Sequence, residues 1–559
     1  MTSKASLTAC VILLVSFGTI YCGGANSAAG NSGASSSSAA PAPSQPTNPN
    51  LSIPYPTDVL TYHYNVYRQG VTVQETTLTP SNVNSTAFGK VGFLTVDAHV
   101  DAQPLYVNEQ FINGSLNNTV YVVTENDSVY AFSANTGRQF WMVSVLRSGE
   151  TPSDDHGCSQ ISPTIGITDT PVIDKMAGAH GAIYFVAMTK DSSGNYHQRL
   201  HALDLATGAE LFGGPTEIAA TYPGTGDGSQ NGMVIFNPGQ FAPRAGILEF
   251  GTTLYFAFTS HCDARPYTGW VMAYNARTLA QSSVIDVTPN GNEGAIWMTG
   301  DGLAADESGN IYFLDGNGTF DTTLNSSGFP IMGDYGNAFM KLTNASGTLQ
   351  VSDYFNMYNT VQESDADEDL GSGGVLVLPD LTDNNGVVHH LAVGAGKDTN
   401  IYVVNRDNMG KWNPNNNNQI YQELQGALPG GEWAMPAYFN STVYYGDVGD
   451  NLKAYAISNA MLSTTPTSQT TTSFEYPGTT PSVSANQSSN GIVWAVENSS
   501  PAVLHAYNAS NLAQELYNSN QAGSRDQFGP GNKFITPIVA NGKVFVGTQT
   551  GVAVFGLLQ

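Results

Sequence analysis

Apolar and polar residues alternate along most of this chain in runs of strand length, and the runs come in sets that repeat. "NTVYVVTEND" followed by "VYAFSANTG" (Val129–Gly137) is echoed at "LHALDLATG" (Leu200–Gly208), "VMAYNARTL" (Val271–Leu279) and "LHAYNASNL" (Leu504–Leu512). Runs rich in β-branched and aromatic residues, broken by Gly, Asn and Asp, predict short strands, and amphipathic helical periodicity is scarce. The full repeat is a Pro-led strand, a strand ending in small residues, and a strand closing on an Ala-x-Asp-like turn. "MPAYFNSTVYYGDVGDNLKAYAIS" and "ITPIVANGKVFVGTQTGVAVFGLL" both scan this way. Eight copies follow one another, with turns near Ala131, Ala202, Ala273, Lys341, Val403, Ala454, Ala506 and Ala553. Their spacing drifts from roughly seventy residues to roughly fifty, near the period of four-stranded propeller blades with their loops. One such sheet cannot bury both of its faces alone, so blades pack side by side around an axis. The pattern predicts an all-β fold, an eight-bladed β-propeller over residues 54–559. The last copy stops after three strands at "GVAVFGLLQ", so "FGKVGFLTVDA" near the N-terminus is expected to supply the fourth and close the ring.

The chain before the repeats reads differently. Lys4 precedes "ACVILLVSFGTIYC", which is too short to span a bilayer and reads as a signal peptide over residues 1–22. Residues 23–53, rich in Ser, Ala, Gly and Pro, have little to bury and read as a flexible tether. Cys22 at the junction resembles the lipidated cysteine of a bacterial lipoprotein, although Tyr21 stands where a small residue belongs. A lipid anchor at Cys22 and ordinary cleavage nearby are both open. Either way an exported protein is expected, whether periplasmic, outer-membrane or extracellular, that meets a membrane only through such an anchor.

Charge and cysteine content narrow the function. Nineteen Lys and Arg stand against 45 Asp and Glu, a net charge of −26, which argues against a nucleic-acid partner. An acidic surface suits a soluble exported protein or one that holds a hard cation. Of four cysteines, Cys158 and Cys262 fall in the repeat region, open either to a disulfide or to two buried thiols. No Cys-x-x-Cys-His haem motif and no zinc-type spacing occurs, and His156, His180, His197, His261, His389 and His390 show no metal-ligand pattern. A phosphate-binding glycine loop and a Gly-x-Ser-x-Gly elbow are also missing.

The repeats resemble a known family. "AFSANTGRQFW" (Ala131–Trp141) is similar to the Ala-x-Asp-x-x-x-Gly-x-x-x-Trp motif of quinoprotein alcohol dehydrogenases, with Ser133 in place of the Asp. "ALDLATGAELF" keeps the Asp and ends in Phe, and "DVLTYHYNVYRQGVTVQETTLTPSNV" resembles the opening segment of that family. The resemblance covers nearly all of the chain after the tether and implies an eight-bladed propeller with pyrroloquinoline quinone (PQQ) and Ca2+ in its axial channel. By the same resemblance, "AIWMTGDGLAADESGNIYFLDGNGTF" places Trp297 as the floor under the quinone and Asn317 at the metal. "DADEDLGSGGVLVL" supplies the catalytic carboxylate and a metal ligand in Asp369, with Asp367 the alternative base. "GKDTNIYVVNR" puts Lys397 against the quinone oxygens, and "GGEWAMPAYF" puts Trp433 near the cofactor. Asp263 in "SHCDARPYTGWV" is the loose counterpart of a further metal ligand, offset by one residue. Two departures stand out: no vicinal Cys-Cys pair exists, and Glu432 occupies the place of an Asn in the Gly-Gly-x-Asn-Trp pattern.

The implied chemistry is coherent. A tryptophan face suits a planar cofactor, and Asn and Asp oxygens suit Ca2+. A carboxylate beside them suits a general base, and a lysine ammonium suits negative charge on quinone oxygens. Each residue also has a plain structural reading. The acidic run Asp365–Asp369 reads as a solvated loop, Asn317 sits in a turn tripeptide, Lys397 reads as a surface lysine, and Trp297 as packing between blades. Their occurrence in family order supports a dehydrogenase for an alcohol or sugar hydroxyl with an external electron acceptor. A non-catalytic cell-surface propeller that binds a protein or glycan is the alternative, and a polysaccharide lyase or hydrolase a weaker one.

Overall fold

The computed structural model describes residues 57–558; the signal peptide, the tether, Cys22 and the first residues of the expected propeller lie outside them. Eight sheets of four or more strands succeed one another along the chain. Their core strands lie within 105–144, 172–217, 241–286, 304–355, 376–424, 437–474, 482–518 and 538–557, the last with Phe88–Thr95 added. The α-helix among the described residues is Thr360–Ala366. The alternating runs thus became strands. Several inner ones, such as Ala182–Lys190, are buried on both faces rather than one, because each sheet has a neighbour on either side.

The residues that marked the repeats, from Ala131 to Ala553, all lie on the third strand of their sheets. They sit inside the strand and not at the turn itself. The reason is packing: Ala131, Ala202, Ala273, Ala506 and Ala553 are fully buried where sheets approach each other. One hydrophobic cluster fills each gap between consecutive sheets. A further cluster joins the last sheet to the first, where Ile538, Phe545 and Val552 meet Val120, Tyr130 and Phe132.

The N-terminal strand completes the last sheet. Phe88–Thr95 runs antiparallel to Gly551–Leu557, with Phe88 opposite Leu557 and Thr95 opposite Gly551. Phe88 is fully buried, and its ring lies 5.5 Å from Trp494 and 5.0 Å edge-on from Tyr517.

The segment Val59–Gly70 serves as a hub that touches sheet after sheet. Backbone bonds link Val59 to Tyr106, Leu60 to Ile173, Val66 to Ala305, Tyr67 to Val377, Gln69 to Tyr438 and Gly70 to Val483. Tyr64 hydroxyl accepts from Val539 N at 2.7 Å. Arg68, wholly buried, donates to Thr61 Oγ1 (2.7 Å), Tyr62 O (2.8 Å), Leu303 O (2.8 Å) and Ile247 O (3.3 Å). A buried guanidinium needs such acceptors for its fork of N–H groups. Gly70 (φ +66°) closes the hub turn, and a Cβ there would lie 2.5 Å from the His63 imidazole, so only glycine fits.

Topology determines where a site can form. Neighbouring strands in each core sheet are antiparallel, so the connection after a second strand and the connection after a fourth strand emerge at the same end. The loops that carry Asp263, Trp297, Asn317, Asp369, Lys397 and Trp433 are of these two kinds.

If strand addition by Phe88–Thr95 completes the structure, Phe88→Ala lowers unfolding free energy by about 3–5 kcal/mol, the cost of emptying a core aromatic site. Phe111→Ala, at a ring that is 53% exposed, changes it by less than about 0.5 kcal/mol. Urea titration of both variants is the measurement, and equal effects would refute the assignment.

Candidate functional site

The loops at that common end enclose a cavity of about 160 Å³. Its walls include every residue the sequence had singled out for the site: Trp297, Asn317, Asp367, Asp369, Lys397, Trp433 and Asp263. Trp297 and Trp433 stand on connections between successive sheets, as do Asp367 and Asp369. Asn317, Lys397 and Asp263 follow second strands.

Local folding explains how the acidic run is split. The helix Thr360–Ala366 ends at Asp367, which takes a left-handed conformation (φ 59°) and leaves its side chain exposed. The chain then turns inward, and Asp369 is buried, 3% exposed. Asn337 Oδ1 fixes this turn by accepting from Leu370 N at 2.7 Å. The reading of the run as a solvated loop therefore holds for Asp367 and fails for Asp369.

Lys397 joins the two acids. Its ammonium lies 2.7 Å from Asp369 Oδ1 and 2.5 Å from Asp367 Oδ1, and Asn317 Nδ2 donates to Asp367 Oδ1 at 2.7 Å. Burial pushes the Asp369 carboxyl up to about 6, against the opposing pull of Lys397. Burial works against the Lys397 charge, but Asp369 and Asp367 outweigh it and hold the ammonium protonated above its usual range. At neutral pH the site thus carries an ionised buried carboxylate beside a cation. Gly316 separates Asp369 from Trp297; a Cβ there would lie 3.4 Å from Asp369 Oδ2 and 3.5 Å from the Trp297 ring.

The aromatic wall continues beyond Trp297. Trp433 meets Tyr476 edge-on at 5.9 Å, and Tyr476 meets Phe534 at 6.3 Å. Thr299 ties three connections together: its hydroxyl is bonded to Ser372 O at 2.9 Å and to Trp433 O. Thr299 has φ 34° and Met298 φ 41°, a left-handed backbone that a β-branched residue seldom adopts and that surrounding contacts must hold in place. Arg244, 2% exposed, donates to Thr168 O at 2.9 Å and to Thr299 O at 3.3 Å and lies over the Phe534 ring. Arg244, Tyr267, Thr299, Tyr476 and Phe534 were not identified from sequence. Tyr267, Thr299, Tyr476 and Phe534 lie in connections between strands and Arg244 in a break of the first strand of the third sheet, so marking the same places in every repeat is the signal that would have found them.

Cys158 and Cys262 form a disulfide with Cα atoms 5.6 Å apart, and Cys262 lines the cavity. The bond ties the loop before the second sheet to the loop that carries Asp263. His156 and His261, from the same two loops, stack at 3.9 Å. Burial and the facing His156 push His261 down to about 4, so this stacked ring is neutral at physiological pH. Glu432 does not intrude: it is buried behind the wall, its Oε1 accepting from Ala434 N at 2.9 Å. Burial drives its carboxyl well above the ordinary range.

The donors for a cation are mixed. Asn317 Oδ1 is buried without a hydrogen-bond partner among the described residues. Asp263 Oδ1 accepts from Ser260 Oγ at 3.0 Å and from Tyr267 hydroxyl at 2.9 Å. No group of three His, Cys, Asp or Glu side chains among the described residues is arranged to hold a metal ion. Asn317, Asp369 and Asp263, the expected set, all line the cavity. The Lys397 ammonium, expected against quinone oxygens, lines the same cavity and pairs there with the Asp369 carboxylate.

Known structures share the architecture. Quinohemoprotein alcohol dehydrogenase from Comamonas testosteroni matches with a TM-score of 0.58 at 13% identity, over 90% of this chain and 80% of that one. A quinohemoprotein alcohol dehydrogenase of Pseudomonas putida HK5 matches equally, with a TM-score of 0.58, 13% identity and the same 90% and 80% coverage. A europium-containing methanol dehydrogenase matches with a TM-score of 0.58 at 12% identity, over 90% of this chain and 99% of that one. The chain has the quinoprotein-dehydrogenase type of β-propeller fold. At this identity the likeness is one of fold. No protein-family profile and no curated protein sequence matches the chain.

The disulfide closes a loop with a sequence separation of 104, for which chain entropy alone gives about 4–5 kcal/mol of stabilisation. Alkylation of the unfolded, unreduced protein leaves Cys158 and Cys262 unmodified by mass spectrometry, and Cys158→Ser lowers the melting temperature. Alkylation of both cysteines without reductant would contradict the bond.

Proposed function

We propose that this protein is an exported PQQ- and Ca2+-dependent dehydrogenase that oxidises an alcohol or sugar hydroxyl, built on an eight-bladed propeller. The observation that carries the reading is the convergence of Trp297, Asn317, Asp369 and Lys397 on one cavity, although they stand on four separate loops. Eight successive sheets with a cluster between the last and the first support the blade count. The Cys158–Cys262 bond supports an oxidising compartment, in keeping with the leader; Cys22 is the candidate site for a lipid anchor.

The chemistry of the cavity's lining suits both groups. Trp297 and Trp433 offer aromatic faces for a planar ring system, and Arg244 and Lys397 offer positive charge for an anionic one. Asn317 Oδ1, buried and unpartnered, is an oxygen for a hard cation, with Asp263 and Asp369 as the nearby carboxylates; such an ion takes its remaining ligands from cofactor or water. When bound, the quinone supplies a two-electron acceptor and Ca2+ a Lewis acid.

The chain's own part is proton chemistry and positioning. Asp369 Oδ2 accepts the hydroxyl proton of the substrate as general base. Lys397 keeps the carboxylate ionised near neutrality and takes a second bond to Asp367, whose exposed side chain leads outward to water. Thr299 and Ser372 hold the connections that carry Trp297, Asp369 and Trp433 in register. With no covalent haem motif in the sequence, a separate acceptor would take up the electrons.

Asp369→Asn, assayed with PQQ, Ca2+ and an artificial acceptor, lowers kcat by about 10²–10⁴ while circular dichroism stays unchanged. A raised carboxyl near 6 is ionised above that pH and protonated below it, so kcat/KM falls as pH drops through about 6. Lys397→Met removes the cation that favours the ionised form and moves this limb to higher pH. Full turnover in Asp369→Asn would refute the assignment of the base.

A further inference from the structure

A second recess, sharing no residue with the cavity, lies where the outer edge of the fifth sheet meets the sixth. It is the larger space, about 540 Å³, within the usual range of small-ligand sites. Its floor is the edge strand Gln422–Leu424, and Asn417 and Asn418, from the asparagine-rich loop "NPNNNNQ", stand in its wall. We propose that this recess binds a neutral oligosaccharide, and the inference is independent of the dehydrogenase reading.

The wall is prebuilt. Asn415 N donates to Asn413 Oδ1 and Asn418 N to Asn416 Oδ1, both at 3.0 Å, so successive side chains cap the loop from within. Asn417, buried, fastens it to the body by accepting from Tyr358 N at 2.8 Å and donating to Glu423 Oε1 at 2.8 Å. Gln422 pairs with the Leu462 backbone in both directions, at 2.8 and 2.9 Å, which fixes the far side. These bonds use the amides of Asn417 and Gln422; the Asn418 amide, and the Gln425 amide apart from one N–H given to Glu423, are exposed at the recess.

The chemistry of the lining selects the ligand class. No lysine or arginine lines the recess, so an anion finds no counter-charge. The one carboxylate, Glu423, already accepts from Asn417 through one oxygen and from Gln425 Nε2 (3.2 Å) through the other, which leaves no acidic cage for a cation. A greasy ligand would meet mainly amides. What remains is a set of groups that donate and accept at once, Asn418, Gln425 and the Thr464 hydroxyl, beside the Tyr421 ring. Side-chain amides bond adjacent hydroxyls through N–H and C=O together, and an aromatic ring takes the C–H face of a pyranose. Tyr421 is half-buried and packs 5.1 Å from the His389 ring, which holds its orientation.

The test is a microarray of neutral oligosaccharides followed by saturation-transfer NMR titration of the best binder, using the protein without added quinone. Binding of a neutral oligosaccharide is expected. The exposed pair Asn418→Ala and Gln425→Ala weakens it about tenfold or more, whereas Asp369→Asn leaves it unchanged. The proposal is overturned if no neutral oligosaccharide binds, if the double variant binds as well as the parent, or if Asp369→Asn abolishes binding, which would place the sugar in the cavity. An acidic oligosaccharide binding more tightly than every neutral one would also overturn it.

Discussion

A row of sheets packed face to face leaves an apolar face open at each end, and no sheet in the row can hide it alone. The pairing of Phe88–Thr95 with Gly551–Leu557 removes that problem by joining the two ends of the chain in one sheet. Once the last sheet is complete it packs on the first, and the cluster containing Phe545 and Phe132 forms. Most other gaps are filled chiefly by residues of consecutive sheets, but this one, like the gap that Phe88 enters, joins residues more than four hundred positions apart. The hub segment follows from it: Val59–Gly70 precedes the closing strand and bonds to one sheet after another with its own backbone.

The cavity is a consequence of the same closure. Second-to-third and sheet-to-sheet connections all emerge at one end, so packing the sheets around one another brings their loops together there. Polar and strained features gather there. Thr299 holds a left-handed backbone, Asp369 is a buried carboxylate, and Arg244 is a buried cation bonded to carbonyls. The surrounding sheets, whose inner strands are buried on both faces, supply the rigidity that keeps such groups in place.

Much of the fold was legible because repetition is visible in a single sequence. The third strand of each sheet carries the small buried residue that marked the repeat, and the closing strand could be inferred from the missing one. The hub was not legible in its role: "VLTYHYNVYRQG" has no second copy, and its bonds depend on where eight other segments lie. At the site, Trp297, Asn317, Asp369 and Lys397 were found because each sits in a distinctive local stretch. Tyr267 and Phe534 stand in connections, and Arg244 in a strand break, that differ from repeat to repeat and carry no such mark. The pairing of Lys397 with Asp369 and Asp367 was also out of reach, since a side-chain contact between two loops leaves no trace in the spacing of either. Cys158 and Cys262 were open to two readings for the same reason, and the 5.6 Å Cα separation decides between them.

The account stands on the cavity being a quinone site rather than an empty mouth of a scaffold. Equilibrium titration of the purified protein with pyrroloquinoline quinone in the presence of Ca2+, followed by quinone absorbance, tests this most directly. The account predicts saturable uptake of one quinone per chain that depends on Ca2+. It also predicts roughly fivefold or greater weakening in Trp297→Ala, since an aromatic stack contributes about 1 kcal/mol beyond burial. No uptake at any Ca2+ concentration, or uptake indifferent to Trp297, would contradict it.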